Sequence, residues 1–299
     1  MPLDMSLKVL NAPVPAHLSF PLHFEDTKWN KMKYVQNAAT DEYIGIVGSG
    51  FRCADHVTFF ESVQQCMIET LDEADLRAID VKWRSARRNA WAMMDLQLTG
   101  VAVEIANPKF KTTIMPRIVA LHGVDGSCSN QVYFGKIDAF CTNGMINGTY
   151  DQVKRKNTSG FNIDDFIKQL RKARQDFYQE AKMMNEWLNT GIPQPRVLSD
   201  VEDLIKSIVG SERKGEKLTE LYWQEAGVRG HNVFSLYSAF TNYATDDVRA
   251  GMPLRNTRDK DETASESMWK REQEVSKWIS SPAFQGLLKT PLQKQLQTA

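Results

Sequence analysis

Hydrophobic residues recur with a helical period in two parts of the chain. Over residues 55–71 the apolar side chains fall three and four positions apart, and Asp55 stands at the start as an N-cap. From Ile163 to Leu188 the same spacing continues for about seven turns. Gly191 and Pro193 follow, and both residue types end helices. The pattern predicts one short and one long amphipathic helix.

Between these helices the hydrophobic period is two. Residues 81–85 and 91–98 each divide their side chains between the two faces of a strand, and the polar sequence Arg87-Arg88-Asn89 separates them, which predicts a hairpin. Further strand-like runs lie at 43–47, 101–106, 110–121 and 131–140. Several strands joined by short polar turns are typical of an antiparallel sheet.

The two ends of the chain differ from this middle part. Residues 1–40 contain four scattered prolines and no sustained period, which predicts an extended arm that docks on a neighbouring subunit. After residue 190 the pattern is helical, with a capping box at Ser199 and Glu202. The predicted fold is α+β. It has an extended arm (1–40), a core of antiparallel β-meander packed with one short and one long helix (41–190), and a helical C-terminal region (191–299).

Charge is distributed unevenly, although the formal net charge is zero. Residues 1–80 carry 6 Lys/Arg and 12 Asp/Glu, whereas residues 81–174 carry 15 Lys/Arg and 7 Asp/Glu, a net charge of +8. A basic middle indicates an anionic partner. A dipolar surface without a function explains the same distribution equally well.

Composition favours a globular protein of the cytoplasm. Apolar residues make up 42% of the chain, enough for a sizeable core. The cysteines form no CxxC pair and no dense framework; they are Cys53, Cys66, Cys128 and Cys141. No apolar stretch reaches the length of a membrane span. We expect reduced thiols and a location in the host cytoplasm, without membrane contact.

The stretch Leu121–Ile146 raises the question of catalysis, because it holds histidine, aspartate and cysteine side chains. The candidate metal ligands are His122, Asp125, Cys128 and Cys141, but their His-x-x-Asp-x-x-Cys spacing matches no known ligand set, and no histidine stands in a motif that would serve a cysteine nucleophile. A hydrolase would use His122, Asp125 and Cys141. Asp125 is followed by Gly and Ser, a sequence that favours a turn. We therefore predict no catalytic residue, no metal and no cofactor, and a hydrolase at these three residues remains a third hypothesis.

The order of several features resembles a known family. An Asp-Gly-Ser turn (125–127) is followed by a Cys-x-Asn strand end (141–143), a basic segment before a threonine (155–158) and the long helix. An aromatic and polar segment (232–243) comes later. Together these features resemble the phage- and plasmid-encoded proteins grouped as domain of unknown function 932, over residues 43–250.

The element order of helix, β-meander and long helix is also similar to the core of the Rad-fifty-two-like single-strand annealing proteins, which include Redβ, RecT and Erf. This resemblance implies an ATP-independent recombination protein that binds and anneals single-stranded DNA as a homo-oligomeric ring or filament. It implies a single-strand-binding protein or an exonuclease as a further partner. The DNA would lie in a groove between the hairpin and the long helix.

The basic middle of the chain fits such a groove, because single-strand binding needs positive charge along the phosphates and aromatic planes for base stacking. The predicted DNA-binding residues are Lys82, Trp83, Arg84, Arg87, Arg88, Lys109, Lys111, Arg117, Lys154, Arg155, Lys156, Arg171 and Lys172. For Trp83 and Trp91 the alternative is a place in the core. The second hypothesis is an interaction protein that inhibits a host defence or replication factor, docking through residues 232–243 or the acidic N-terminal part.

Overall fold

Two antiparallel sheets organise the protein in a computed structural model, which describes residues 10–28, 31–138, 144–146, 152–155, 163–192, 198–245 and 260–287. The small sheet has the order β1-β2-β3 and consists of β1 (Leu22–Asp26), β2 (Met32–Asn37) and β3 (Tyr43–Gly48). The large sheet has a main path of β10-β8-β7-β5-β4, with β6 paired to β7 and β9 paired to β8. Its strands are β4 (Ile79–Ala86), β5 (Trp91–Leu98), β6 (Val103–Ala106), β7 (Lys111–Gly123), β8 (Asn130–Asp138), β9 (Gly144–Ile146) and β10 (Gln152–Arg155).

The helices lie before and after the large sheet in the chain. They are α1 (His56–Thr70), α2 (Glu73–Arg77), α3 (Ile163–Asn189), α4 (Leu198–Val209), α5 (Glu212–Arg229), α6 (Val233–Thr245), α7 (Lys260–Ile279) and α8 (Pro282–Gly286). In the part of the chain that the structure describes, no helix combines the length and the apolar character that crossing a membrane requires. The α+β class is confirmed.

The elements with the clearest local period are confirmed. Helix α1 begins after Asp55, whose side chain accepts a hydrogen bond from the Thr58 amide at 2.8 Å, as an N-cap does. The predicted hairpin is β4 and β5, and the predicted long helix is α3. Helix α4 begins at Leu198, so Ser199 lies inside the helix, and its prediction as the capping residue is wrong.

The prediction of an extended arm over 1–40 is wrong for the described part of that segment. Leu10, Ala12 and Leu18 are buried in the core of their own chain. The Gln64 amide on α1 donates a hydrogen bond to the Ala12 carbonyl at 2.9 Å. Strands β1, β2 and β3 pair in sequence, so the small sheet runs across the predicted boundary at residue 40. The first described residues therefore belong to the folded core.

The large sheet is covered on both faces. On one face of β5, Met94 and Leu96 join the core that contains α1 and α3 residues. On the other face, Trp91 and Met93 pack in a second cluster with Trp269 of α7. A strand buried on both faces loses the simple alternation of apolar and polar residues. This is why β5 carries apolar side chains on both sides.

The space between the large sheet and the long helix is filled with core side chains where β8 meets α3. The rings of Phe134 and Phe166 stack there, with their centroids 5.9 Å apart, and Phe177 is buried farther along α3. The groove that the family resemblance implies does not lie at this contact, because both surfaces are already packed together.

The aromatic segment 232–243 is not a docking surface, and that part of the second hypothesis is wrong. The segment forms most of α6, where Phe234, Tyr237 and Phe240 are buried. The Tyr237 ring contacts Trp187 of α3 at a centroid distance of 5.4 Å. The apolar side chains of α6 therefore stabilise the contact between the C-terminal helices and the long helix.

Candidate nucleic-acid interface

The turn between β4 and β5 has an unusual backbone. Arg87, Arg88 and Asn89 have φ angles of 55°, 54° and 64°, so three consecutive residues other than glycine lie in the left-handed region. Each such residue costs about 1–2 kcal/mol relative to a right-handed conformation. A conformation of this kind persists only where the surrounding structure holds it.

Contacts from three separate segments hold this turn. The His56 ring on α1 places Nε2 2.7 Å from the Asn89 carbonyl oxygen. The Val124 amide, just after β7, donates to the Ala90 carbonyl at 2.8 Å. Asp125 and Glu42 each pair with one of the arginines, at 3.6 Å from Arg87 and 4.0 Å from Arg88. The turn therefore presents both exposed arginines from a braced backbone.

A buried pair of histidines lies beneath the turn. The Asn89 carbonyl can only accept, so His56 carries its proton on Nε2, and in the neutral ring its Nδ1 is an acceptor. The His122 Nδ1 lies 2.8 Å from that atom and must be the donor. The His122 Nε2 is then an acceptor that has no hydrogen-bond partner among the described residues. The two rings fix each other's tautomer.

Burial keeps both histidines neutral. It lowers the pKa of His56 to about 4, although the Asn89 carbonyl, Asp55 and Asp125 favour the charged form. Burial and the neighbouring His56 place the pKa of His122 well below its ordinary value. The His122 ring also stacks on Phe59 with a centroid distance of 4.7 Å. The pair supports the turn through uncharged rings.

The hydrolase hypothesis receives no support from these positions. His122 is fully buried, and its ring contacts His56 and Phe59 instead of a carboxylate. Asp125 binds Arg87 and accepts a hydrogen bond from the Ser127 amide at 2.9 Å. Cys141 lies outside the described residues. The described residues contain no group of three or more histidine, cysteine or acidic side chains that could hold a metal ion.

The three described cysteines form no disulfide bond: Cys53, Cys66 and Cys128. Burial raises the pKa of Cys53 to about 12 and that of Cys66 to about 11, with further contributions from nearby carboxylates. Thiols with a raised pKa are poor nucleophiles at neutral pH, because the thiolate is the reactive form.

Strand register decides which predicted DNA-binding residues share one end of the large sheet. Trp91 on β5 pairs with Gly123 on β7, next to the arginine turn. Lys154 on β10 pairs with Gln131 on β8, which itself pairs with Leu121 on β7. The Arg87-Arg88 turn and the backbone of Lys154-Arg155 therefore lie at the same end of the sheet. They occupy opposite edges, about 19 Å apart across four strand spacings.

Other predicted residues lie far from this end. Lys111 is the first residue of β7 and Gly123 the last, so about 40 Å of strand separate Lys111 from the arginine turn. Lys109 lies just before β7, and both lysines are exposed. Arg171 and Lys172 are exposed on α3, where Lys172 pairs with Asp176 at 3.8 Å. The predicted residues whose side chains the structure describes do not form one continuous groove.

The β4 edge carries two further predicted residues. Lys82 is exposed there. Arg84 is half-buried, and its charge acts on Glu272 of α7. Burial raises the pKa of Glu272, and the positive charges of Arg117 and Arg84 partly oppose this rise. Lys156 lies outside the described residues.

The prediction for Arg117 is wrong. Its side chain is only 4% exposed, and its guanidinium binds Asp95 at 2.7 Å and Glu272 at 2.6 Å. Helix α7 covers this face of β7 and supplies one of the two carboxylates. A guanidinium that is buried with two carboxylates is not available to bind a phosphate.

The two tryptophans belong to the core. Trp91 is buried in the cluster beneath α7. Trp83 is half-buried and meets the Phe60 ring edge to face, with centroids 4.9 Å apart. The prediction that Trp83 stacks on DNA bases is therefore not supported, and the alternative of a place in the core holds for both residues.

Sequence reasoning missed the histidine pair, because the two residues are 66 positions apart. A signal was present in β7, where His122 shares a face with Ala120 and Ile118, both of which are buried. A single polar side chain on an apolar strand face needs a buried partner. Nothing in the sequence identified His56 as that partner.

The family model for a domain of unknown function (DUF932) matches residues 44–271. The match begins in β3 and ends within α7, so it includes the large sheet, the arginine turn, the histidine pair and the helix over the second face. It covers about three quarters of the chain, and the protein belongs to this family. No curated protein and no solved structure matches the chain.

Proposed function

We propose that this protein binds single-stranded DNA and anneals complementary strands without ATP, in the recombination of phage or plasmid DNA. The observation that carries the proposal is the braced turn, which holds two exposed arginines at one end of the large sheet. Lys154 and Arg155 on the opposite edge strand lie at the same end. This arrangement supports a positively charged end that a DNA backbone could follow across the strands.

The arginines are held in place, yet their charges stay accessible. Because the turn is fixed by contacts to its backbone, no further backbone entropy is lost when a phosphate binds, and the cost is limited to ordering the two side chains. The ion pairs with Asp125 and Glu42 involve exposed arginine side chains. The Arg88–Glu42 pair is exposed on both sides, and such pairs contribute about 0–1 kcal/mol. In the other pair the Asp125 side chain is only 12% exposed, whereas the Arg87 side chain is 45% exposed. A phosphate can therefore displace Glu42 from Arg88 and reach the exposed part of Arg87.

Annealing requires that the bound strand keeps its base edges free, so that the second strand can pair with them. A protein that contacts the phosphates meets this requirement, because phosphate contacts carry no sequence information and do not occupy the base edges. We further propose that several copies act along one strand, as a ring or filament in the host cytoplasm.

The protein should accelerate the annealing of labelled complementary oligonucleotides in the absence of ATP. The rate of duplex formation is compared with that of the oligonucleotides alone.

Changing Arg87 and Arg88 together to glutamine should weaken single-strand binding and reduce its salt dependence. Each lost phosphate contact lowers the slope of log affinity against log salt by about 0.7, so the double variant should lose about 1.4. Fluorescence anisotropy with a labelled oligonucleotide at several salt concentrations measures this slope. Glutamine removes the charge and keeps a polar side chain, and the contacts to the Asn89 and Ala90 carbonyls do not involve the arginine side chains, so the turn should stay folded.

The matched control is the double variant Lys109→Gln with Lys111→Gln, which removes the same charge about 40 Å away along β7. This control should keep the wild-type salt slope. Equal slopes for the Arg87/Arg88 variant and the wild type would contradict the proposed binding end.

A further inference from the structure

The small sheet has one exposed apolar face. Among the described residues, five large hydrophobic side chains are exposed, and three of them lie on this sheet. They are Met32 at 41%, Tyr43 at 54% and Ile46 at 49% exposure. An exposed group of apolar side chains of this kind marks a binding surface more often than isolated residues do.

Strand register places these side chains on the same face. Tyr34 pairs with Ile46, and a bulge after Val35 lets Gln36 pair with Tyr43. Directly paired residues point to the same side of a sheet. The Tyr34 and Tyr43 rings meet edge to face, with centroids 5.1 Å apart. Along this face Met32 lies at one end, Tyr34 and Ile46 lie side by side in the middle, and Tyr43 lies at the other end.

The opposite face anchors the sheet to the rest of the protein. Val35 and Val47 are buried. A Cβ atom on Gly45 would lie 3.0 Å from the Asp125 Cβ, so this side of β3 is in close contact with the loop after β7. The exposed tyrosine face is thus held at a fixed position next to the loop that also binds Arg87.

Basic side chains lie at both ends of the exposed face. At the Tyr43 end, Arg88 pairs with Glu42, the residue just before Tyr43. At the Met32 end, the Ser49 amide donates to the Lys31 carbonyl, and Lys31 and Arg52 are both exposed there. The face also carries the Glu25 carboxylate, which accepts a hydrogen bond from Gln36 at 3.1 Å.

The size of the face favours a nucleic acid over a second protein. Three strands of about six residues cover roughly 300 Å². A stable protein interface buries about 800 Å² on each partner. Aromatic rings flanked by cations are the features that bind single-stranded bases and their phosphates.

We propose that Tyr34 and Tyr43 form a platform on which bases of single-stranded DNA stack, while Arg87 and Arg88 hold the adjoining phosphates. This inference rests on the proposed function and assigns to the small sheet the stacking role that Trp83 and Trp91 do not fill. Base stacking on a tyrosine tolerates any sequence, because every base has a π face.

Tyr43→Ala should weaken binding to an oligothymidine strand by about 5- to 150-fold. The salt slope should stay at the wild-type value, because no phosphate contact is removed. Tyr43→Trp should retain binding, since the indole also stacks. The matched control is Tyr178→Ala on α3, which removes another exposed tyrosine and should leave the affinity unchanged. Thermal unfolding of each variant verifies that the fold is intact.

A strand of the same length with abasic sites separates stacking from phosphate binding. On this strand the wild type and Tyr43→Ala should bind equally.

The oligothymidine measurements separate the platform from the proposed function. If the wild type binds oligothymidine with an affinity that falls with salt, and Tyr43→Ala binds it equally tightly, the platform is refuted and the proposed function stands. A wild type that binds no single strand overturns both. A lower assembly mass of Tyr43→Ala in sedimentation, at unchanged DNA affinity, would make the face a contact between copies and refute the platform.

Discussion

Replacing Arg117 with methionine should lower the free energy of unfolding by about 3–5 kcal/mol. The guanidinium of Arg117 is buried between Asp95 and Glu272, both of which are also buried. Without the guanidinium, two buried carboxylates lose the cation that binds both of them, and the half-buried Arg84 acts only weakly on Glu272. Urea titration at neutral pH measures the loss.

Two comparisons show whether the loss comes from uncompensated charge. Lys111→Met removes an exposed pair with Glu104 and should change stability by about 1 kcal/mol or less. Adding Asp95→Asn and Glu272→Gln to Arg117→Met should recover much of the lost stability, because no charge is then left unpaired in the core. An Arg117→Met protein with wild-type stability would contradict the buried position of this cluster.

Acidification from pH 6.5 to about 4 should remove about 3 kcal/mol of stability through His56 alone. In the folded protein the pKa of His56 is lowered to about 4, whereas the unfolded chain has the ordinary value of 6.5. The unfolded state therefore binds more protons within this window, and stability falls as the pH falls. Above pH 6.5, the pKa of the unfolded chain, His56 is mostly neutral in both states and this loss of stability is absent. His122 acts in the same direction, since its pKa is also lowered.

The interval from pH 6.5 to 5 gives the cleanest measurement, because ordinary carboxylates titrate mainly below it. There each histidine contributes a slope of up to about 1.4 kcal/mol per pH unit. His122→Phe should flatten the curve, because it removes one of the two buried imidazoles. A wild-type stability that is flat over this interval would contradict the neutral buried pair.

Local patterns in the sequence predict the elements but not their partners. The N-cap at Asp55, the β4–β5 hairpin and the long helix each follow from residues that are neighbours in the chain. The burial of the N-terminal segment depends on Gln64, which lies 52 residues from its partner Ala12. Arg117 depends on Glu272, which lies 155 residues away. Periodicity within a short window carries no information about contacts at such distances.

In the candidate site, too, local sequence predicts single elements but not which residues come together in space. Arg87 and Arg88 could be predicted, because a polar pair between two alternating runs marks an exposed turn. The separation of Lys111 from them could not, since it follows from strand register. Tyr43 gave no signal, because a short strand does not show which of its faces is covered. The bulge after Val35, which brings Gln36 opposite Tyr43, is equally invisible in the sequence.

Helix α7 has a consequence for the newly made chain. It covers the face of the large sheet that contains Met93, Leu121 and Tyr133, and its Trp269 is made 131 residues after β8 ends at Asp138. At about 5–20 residues per second, the ribosome needs about 7–26 s for that interval. During this time the apolar face is open to chaperones and to other unfinished chains. A transcript broken before the codon for Trp269 yields a product that lacks this cover, and we expect such a product to aggregate through the open apolar face.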